Sequence, residues 1–176
     1  MNAATERIEE MLRARERSFK RDEDKEMVNT GFHGKNARWR VMAGGYNDFT
    51  VLILSVFPIE CPKPERHVCA ELLTRINYGL AVGCFEMDHE QGRIHFKTTV
   101  PYDKELPQLE VLDMLLGLNL SAMDRYLPAI MSVIYAGTTP EKALMEIERQ
   151  EKAKAQSKTE KATEQQDLVR RRFELN

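Results

Sequence analysis

The chain has 176 residues, 42% of them hydrophobic, so it is long enough to fold as one domain around a single core. Its formal net charge is −2, which does not favour nucleic-acid binding because that function usually leaves a basic footprint. The three cysteines are an odd and sparse set, which indicates free thiols in a reducing compartment. The N-terminal residues contain no apolar stretch typical of a secretory signal, so we expect a cytoplasmic location.

The charged N-terminal segment, residues 1–26, predicts one amphipathic helix over residues 4–20. Its apolar side chains recur at helical spacing and are Ile8, Met11, Leu12 and Phe19. This stripe is thin, so the helix must dock on another element to be stable. A loop-like stretch over residues 22–36 follows, with room for a short strand near residues 27–32.

Two strands joined by a glycine-rich turn are predicted next. Residues 38–43 alternate in polarity, and residues 44–48 supply turn chemistry because Gly and Asn tolerate positive φ. The second strand, residues 49–57, is apolar on both faces. One face consists of Val51, Ile53 and Phe57, and the other of Leu52, Leu54 and Val56. Such a strand is covered on both sides, or covered on one side and paired with a partner on the other.

A helix is predicted over residues 65–78, where apolar side chains recur three and four positions apart. A second hairpin follows, with strands over residues 82–88 and 93–100. The latter strand alternates apolar and polar residues, which is typical of a sheet with one buried and one wet face.

Residues 105–135 predict a long apolar helix, which Gly117 weakens and Pro128 kinks or divides. The charged residues within the apolar stretch from 106 to 135 argue against a membrane span, so we expect no membrane contact. Those residues are Glu110, Asp113, Asp124 and Arg125.

The C-terminal tail, residues 137–176, is predicted to be a charged helix or a disordered segment. Thr139 and Pro140 mark its start, because Thr is a good N-cap and Pro fits the first helical position. Residues 148–167 include no Val, Leu, Ile, Met or aromatic side chain. Such a segment buries too little apolar area to offset the entropy of ordering.

The middle of the chain resembles the YbjN-like family. The matching features are a leucine-rich helix that ends in an Asn, then a hairpin of the form F-x-x-D…G-x-[IVL]-x-[FL] followed by a proline. In this sequence they are Leu72, Leu73, Asn77, Phe85, Asp88, Gly92, Ile94, Phe96 and Pro101. Residues 118–130 are similar to the family's final helix, including Asp124, Tyr126 and Pro128.

The resemblance implies a fold similar to type III secretion chaperones, which have a curved antiparallel sheet with helices packed on one face and often dimerise. We therefore expect an α+β fold with the order α-β-β-(β)-α-β-β-α and a C-terminal helical tail. The family-like domain is expected over residues 27–136. Members of the family are described as sensory-transduction or stress-response regulators without an established enzymatic activity, and no functional residue carries over from them.

No motif in the sequence predicts catalysis, a cofactor or a metal. Cys61, His67 and Cys69 lie near one another, but the spacing is wrong for zinc and a fourth ligand is missing. Cys84 and His95 could face each other across the second hairpin, yet nothing indicates an oxyanion hole. Three further groups are interpreted as structural or solvated: Arg38 and Arg40 beside Trp39, the acidic hairpin tip Glu86, Asp88 and Glu90, and Arg170, Arg171 and Arg172.

The leading hypothesis is a non-enzymatic binding or regulatory module that forms a homodimer and acts on an unidentified protein partner. Its candidate interface is Leu52, Leu54 and Val56, with the long helix as a further surface, because a contiguous apolar patch usually marks an interface. A rival explanation is that the N-terminal helix folds back over that patch. Two other functions stay open: a ligand-binding protein or enzyme with a pocket between sheet and long helix, and an adaptor that acts through the tail.

Overall fold

The computed structural model describes residues 2–174, with side chains described for residues 2–157. Its helices are α1 (Ala3–Ala14), α2 (Arg66–Tyr78), α3 (Leu109–Ala136) and α4 (Pro140–Glu174), with a short 3₁₀ turn at Lys63–Glu65 before α2. Its strands are β1 (Lys20–Asp22), β2 (Met27–His33), β3 (Arg38–Asn47), β4 (Thr50–Glu60), β5 (Cys84–Met87) and β6 (Arg93–Pro101). The predicted α+β class is confirmed.

The six strands form one antiparallel sheet with the order β1-β2-β3-β4-β6-β5. The two-faced strand β4 lies in the middle, between β3 and β6. β1 was not predicted, because its three polar residues show no alternation and it pairs only with residues 27–29 of β2. The predicted N-terminal helix extends too far: it ends at Ala14, and Glu16 then adopts a φ of 52°.

The turn predicted at residues 44–48 begins too early, because β3 continues through both glycines to Asn47 and the turn follows at residues 48–49. A Cβ at Gly44 would lie 2.7 Å from Thr5 Oγ1, and one at Gly45 would collide with the side chain of Asn2. Thr5 Oγ1 donates to Glu26 O and accepts from Gly45 N at 3.0 Å. These glycines therefore let the start of α1 approach the sheet.

The core lies on one face of the sheet, which we call the inner face. On this face β4 contributes the buried side chains of Val51, Ile53, Ser55 and Phe57. Ile8, Met11 and Leu12 of α1 are almost fully buried in the same core as the residues of α2 and α3. The rival explanation is therefore wrong: α1 covers the inner face and not the face of Leu52, Leu54 and Val56. The division into segments 1–26, 27–136 and 137–176 stays a prediction.

Pro128 does not divide α3, which continues from Leu109 to Ala136. Proline lacks an N–H, so the carbonyl of Asp124, four residues earlier, loses its helical donor. The Nδ2 of Asn36 takes that place at 2.8 Å. The Asp124 carboxylate accepts in turn from the backbone N–H groups of Lys35 and Asn36. The β2–β3 turn thus stabilises the helix where proline weakens it.

The start of α4 at Pro140 is confirmed. The Thr139 hydroxyl accepts from Lys142 N at 3.4 Å, and Gly137 ends α3 with a left-handed φ of 60°. Ala143 and Ile147 are buried in the core. Beyond them, Glu151 forms an exposed ion pair with Arg125, and such pairs contribute little to stability.

We expect deletion of residues 150–176 to lower the melting temperature by no more than about 4 °C, because roughly 1 kcal/mol shifts a domain of this size by 2–4 °C. The truncated chain keeps Ala143 and Ile147. The matched control, deletion of residues 140–176, removes both side chains and should lower the melting temperature considerably more. Thermal unfolding followed by circular dichroism measures the effect, and collapse of soluble expression in the shorter deletion would contradict the prediction.

Candidate interaction surface

An apolar strip lies on the outer face of the sheet, which is the face opposite the helices. Because side chains alternate along a strand, residues adjacent to buried core positions point outward. Five such side chains are apolar and lie outside the main core cluster: Met27, Met42, Leu52, Leu54 and Val56. We call these residues the outer strip.

Strand pairing makes the outer strip contiguous. Leu54 of β4 pairs with Met42 of β3, and directly opposed side chains lie about 4.5–5.5 Å apart at Cβ. Met27 and Leu52 are buried, with 9% and 6% of their surface exposed, although neither belongs to the core cluster. Leu54 and Val56 are half-buried. The accessible apolar surface of the strip is therefore formed by Met42, Leu54 and Val56, each of them half-buried.

Polar side chains surround the outer strip. Val56 pairs with Arg40 on one side and with His95 on the other. Leu54 is opposed by Lys97, which forms an ion pair with Glu86. The hydrogen bond to Glu86 raises the pKa of Lys97, and the nearby Tyr46 raises it further. An apolar centre with a charged rim is the usual composition of a protein interface.

His95 of β6 pairs directly with Val56 of the outer strip. Burial lowers its pKa from the ordinary 6.5, and the positive charges of Arg93 and Arg40 lower it further, whereas Glu86 and Asp88 oppose the shift. The folded state therefore binds a proton at His95 less readily than the unfolded chain does. The stability that follows is fully present above the unfolded pKa and is lost as the pH falls through the folded pKa.

We expect His95→Gln to reduce the loss of melting temperature between about pH 7.5 and about pH 5, because glutamine cannot acquire the proton that the fold disfavours. Differential scanning fluorimetry at both pH values measures the difference. His89→Gln, at the exposed β5–β6 turn, is the control and should leave the loss unchanged. An equal loss in parent and His95→Gln would contradict the assignment.

The residues that support the family resemblance have structural roles. Asn77 binds the backbone of Phe85 twice, through Oδ1 to N at 2.8 Å and through Nδ2 to O at 2.9 Å. Asp88 accepts from the backbone N–H groups of Glu90 and Gln91 and from Arg93. Gly92, with a φ of 77°, has no room for a Cβ beside Cys61 O. These residues fix the second hairpin and do not converge on one chemical site.

The cysteines and the histidines near them in sequence have separate surroundings in the fold. Cys61 and Cys69 are fully buried and interact with each other, and burial raises the pKa of Cys69 to about 12. His67 is exposed. Cys84 pairs with Lys97, and Glu86 pairs with His95, so Cys84 and His95 are not directly opposed. Within the described residues, no group of three potential ligands could hold a metal ion.

A buried polar network lies between the sheet and α3, and the sequence analysis did not predict it. Trp39 Nε1 donates to Ser55 Oγ at 2.9 Å, and Ser55 Oγ donates to Asn119 Oδ1 at 2.6 Å. Asn119 Nδ2 lies 3.1 Å from Ile53 O, Phe96 O and Thr98 Oγ1, so its two hydrogens serve three acceptors. The network fixes α3 against β4 and β6 and links β3 to them through Trp39.

The described residues thus define an α+β domain with an apolar outer sheet face. A crystal structure described as "YbjN, a putative transcription regulator from E. coli" matches with a TM-score of 0.50 and 10% identity. The match covers 66% of this chain and 83% of that chain, and at such identity it concerns the fold alone. A search of curated proteins finds no match.

A family model described as "YbjN: Putative bacterial sensory transduction regulator" matches residues 4–132. This range includes all of α1 except its first residue, the whole sheet, α2 and most of α3. The chain belongs to the YbjN family, as the resemblance predicted. None of the described helices combines the length and apolar character needed to cross a membrane.

Proposed function

We propose that this protein is a non-enzymatic, protein-binding regulatory module that works in the cytoplasm and self-associates as a homodimer through the outer strip. The observation that carries the proposal is the apolar surface formed by the outer strip, which lies outside the core. The regulatory role agrees with the family's description. The free cysteines agree with a reducing compartment.

A two-fold interface suits the outer strip because the same patch then covers itself in the second copy. Leu54 and Val56 lie near the middle of the sheet, so two sheets can pack face to face over them. Lys97 and Glu86 lie at the rim, where charged side chains remain in contact with water. Burial of the strip then supplies the association free energy, since apolar area removed from water is the main favourable term.

A non-enzymatic role is supported by how the polar residues are used. Asn119, Ser55 and Thr98 bind one another or the backbone in the space between sheet and α3. Asp124 is engaged with the β2–β3 turn. These contacts leave little room for the alternative of a ligand pocket between sheet and long helix.

Cysteine cross-linking tests the location of the interface. Leu54→Cys is placed in a Cys84→Ser background, because Cys61 and Cys69 are buried and do not react readily. A short bismaleimide should then join two chains. Thr74→Cys, at an exposed position on α2, is the matched control and should stay uncoupled. Failure of Leu54→Cys to couple, or equal coupling of both variants, would refute the proposed interface.

A further inference from the structure

A cationic groove lies at the β2 end of the sheet, away from the centre of the outer strip. It has a volume of about 750 Å³ and follows β2 from Asn29 to His33, with Arg38 and Arg40 of β3 beside it. Lys20 of β1 closes one side. None of the residues that line the groove carries a carboxylate.

The bases of this groove have no acidic partner. Among the described residues, Lys20, Arg38 and Arg40 form no ion pair, in contrast to most other arginines of the chain. Arg38 Nε donates to His33 Nδ1 at 3.1 Å, which aligns two groove residues with each other. A cluster of unpaired bases in a chain of net charge −2 favours an acidic ligand at this point.

Gly31 keeps the groove open. It pairs with Arg40 across β2 and β3, and nothing lies within 4 Å of the position that a Cβ would occupy. Any larger residue would stand between Arg40 and the edge of the sheet. The glycine therefore exposes the β2 backbone to a ligand that reaches Arg40.

The edge of β2 is also unpaired along the groove. β1 pairs with β2 only as far as Lys20 and Asn29. The preceding residues stay beside β2 through the hydrogen bond from Thr30 Oγ1 to Ser18 O and through Arg17, which lies over the Phe32 ring, but the described residues show no backbone hydrogen bond between them and Thr30–His33. An unpaired strand edge offers backbone N–H and C=O groups to an added strand. Asn29 Oδ1 is buried without a donor among the described residues, and a peptide can supply an N–H that a bare anion lacks.

We propose that the groove binds an extended acidic segment of a partner protein, which adds to the edge of β2 beside Thr30–His33 and pairs its carboxylates with Lys20, Arg38 and Arg40. This inference goes beyond the self-association proposed above and does not depend on it. The groove edge lies two strands from Leu54, or about 10 Å across the sheet. A nucleic-acid base would find little free aromatic surface here. Trp39 is buried and binds Ser55, Phe32 packs on Trp39 beneath Arg17, and Arg13 lies over Phe19.

The test uses the full-length protein and a short fluorescein-labelled peptide of alternating glutamate and valine, followed by fluorescence anisotropy. We expect micromolar binding that weakens with added salt, and no binding of the matched lysine–valine peptide. Methylation of alternate backbone nitrogens should remove binding, because it blocks hydrogen bonds to the β2 edge. No binding of the acidic peptide, or equal binding of the methylated one, would overturn the proposal.

Two groove variants sharpen the test. Arg40→Glu should weaken binding by about tenfold or more, since truncating or reversing one member of a charge pair costs at least that in affinity. Gly31→Val should block the groove while the protein keeps its melting temperature, because a side chain has room there. The control, Lys104→Glu, reverses an exposed charge outside the groove and should bind normally.

A third variant separates this inference from the proposed dimer. Leu54→Glu should bind the peptide at least as well as the parent does, because Arg40 lies opposite Val56 at the rim of the proposed dimer interface and becomes more accessible in the monomer. Displacement of the peptide by ATP or by a single-stranded RNA oligonucleotide at lower concentration than by unlabelled peptide would assign the groove to those ligands and overturn the proposal.

Discussion

Replacing Asn119 with alanine is expected to lower the melting temperature by about 6–12 °C, the largest loss from any single substitution considered. Asn119 is fully buried and joins β4 and β6 directly to α3, and Ser55 links Trp39 of β3 to the same network. Removal of the Asn119 side chain leaves the Ser55 donor and the Thr98 acceptor without their partner. Each such buried group costs about 1–3 kcal/mol, and roughly 3 kcal/mol in total corresponds to that shift.

The control for Asn119→Ala is Ser121→Ala, which changes an exposed position on the same helix and should shift the melting temperature little. A double variant adds a sharper criterion. Ser55→Ala and Asn119→Ala disturb one network, so together they should cost less than the sum of the single changes. Melting of Asn119→Ala within about 2 °C of the parent would show that the network contributes little, since a 1 kcal/mol loss already gives 2–4 °C.

Replacing Leu54 with glutamate is expected to abolish the concentration dependence of the melting temperature. In the parent, the proposed dimer binds only the folded chain, and at a chain concentration of about 100 times Kd this linkage adds about 2.7 kcal/mol. A carboxylate in the middle of the outer strip would be buried against apolar groups in the dimer, which is costly. In the monomer it would lie beside Lys97 at the outer face and be tolerated.

The control for Leu54→Glu is Met114→Glu. Met114 is 60% exposed on α3, close to the exposed Leu118, so it tests the long helix as the competing interface. It should leave the concentration dependence intact. If Met114→Glu removes the dependence and Leu54→Glu does not, the interface lies on the helix. If Leu54→Glu unfolds the protein instead, the strip serves the stability of a single chain.

Local patterns in the sequence predicted the elements that depend on them. Alternation located β3 and β6 because one face of the sheet is buried, a continuous apolar run located β4, and Thr139 with Pro140 located the start of α4. β1 was not predicted, because its three polar residues form a strand only through their pairing with β2. Gly44 and Gly45 were interpreted as a turn because their real role, the approach of α1, is a long-range contact.

The candidate surfaces were only partly predictable for the same reason. The outward direction of Leu52, Leu54 and Val56 followed from the period of a strand, and that of Met42 was available from its alternation with Val41 and Ala43. That Met27 belongs to the outer strip could not be predicted, because the bounds of the strand that carries it were only approximate in the sequence. The groove over Gly31 was not predictable, since strand register brings Arg40 and Lys20 to it.

Sedimentation equilibrium of the parent and of Leu54→Glu at micromolar concentration tests the central claim most directly. If the outer strip is a two-fold interface, the parent should have twice the chain mass of 20.4 kDa. The folded Leu54→Glu variant should then have the mass of one chain. A single-chain mass for the parent, or a Leu54→Glu variant that remains a dimer, would contradict self-association through the outer strip.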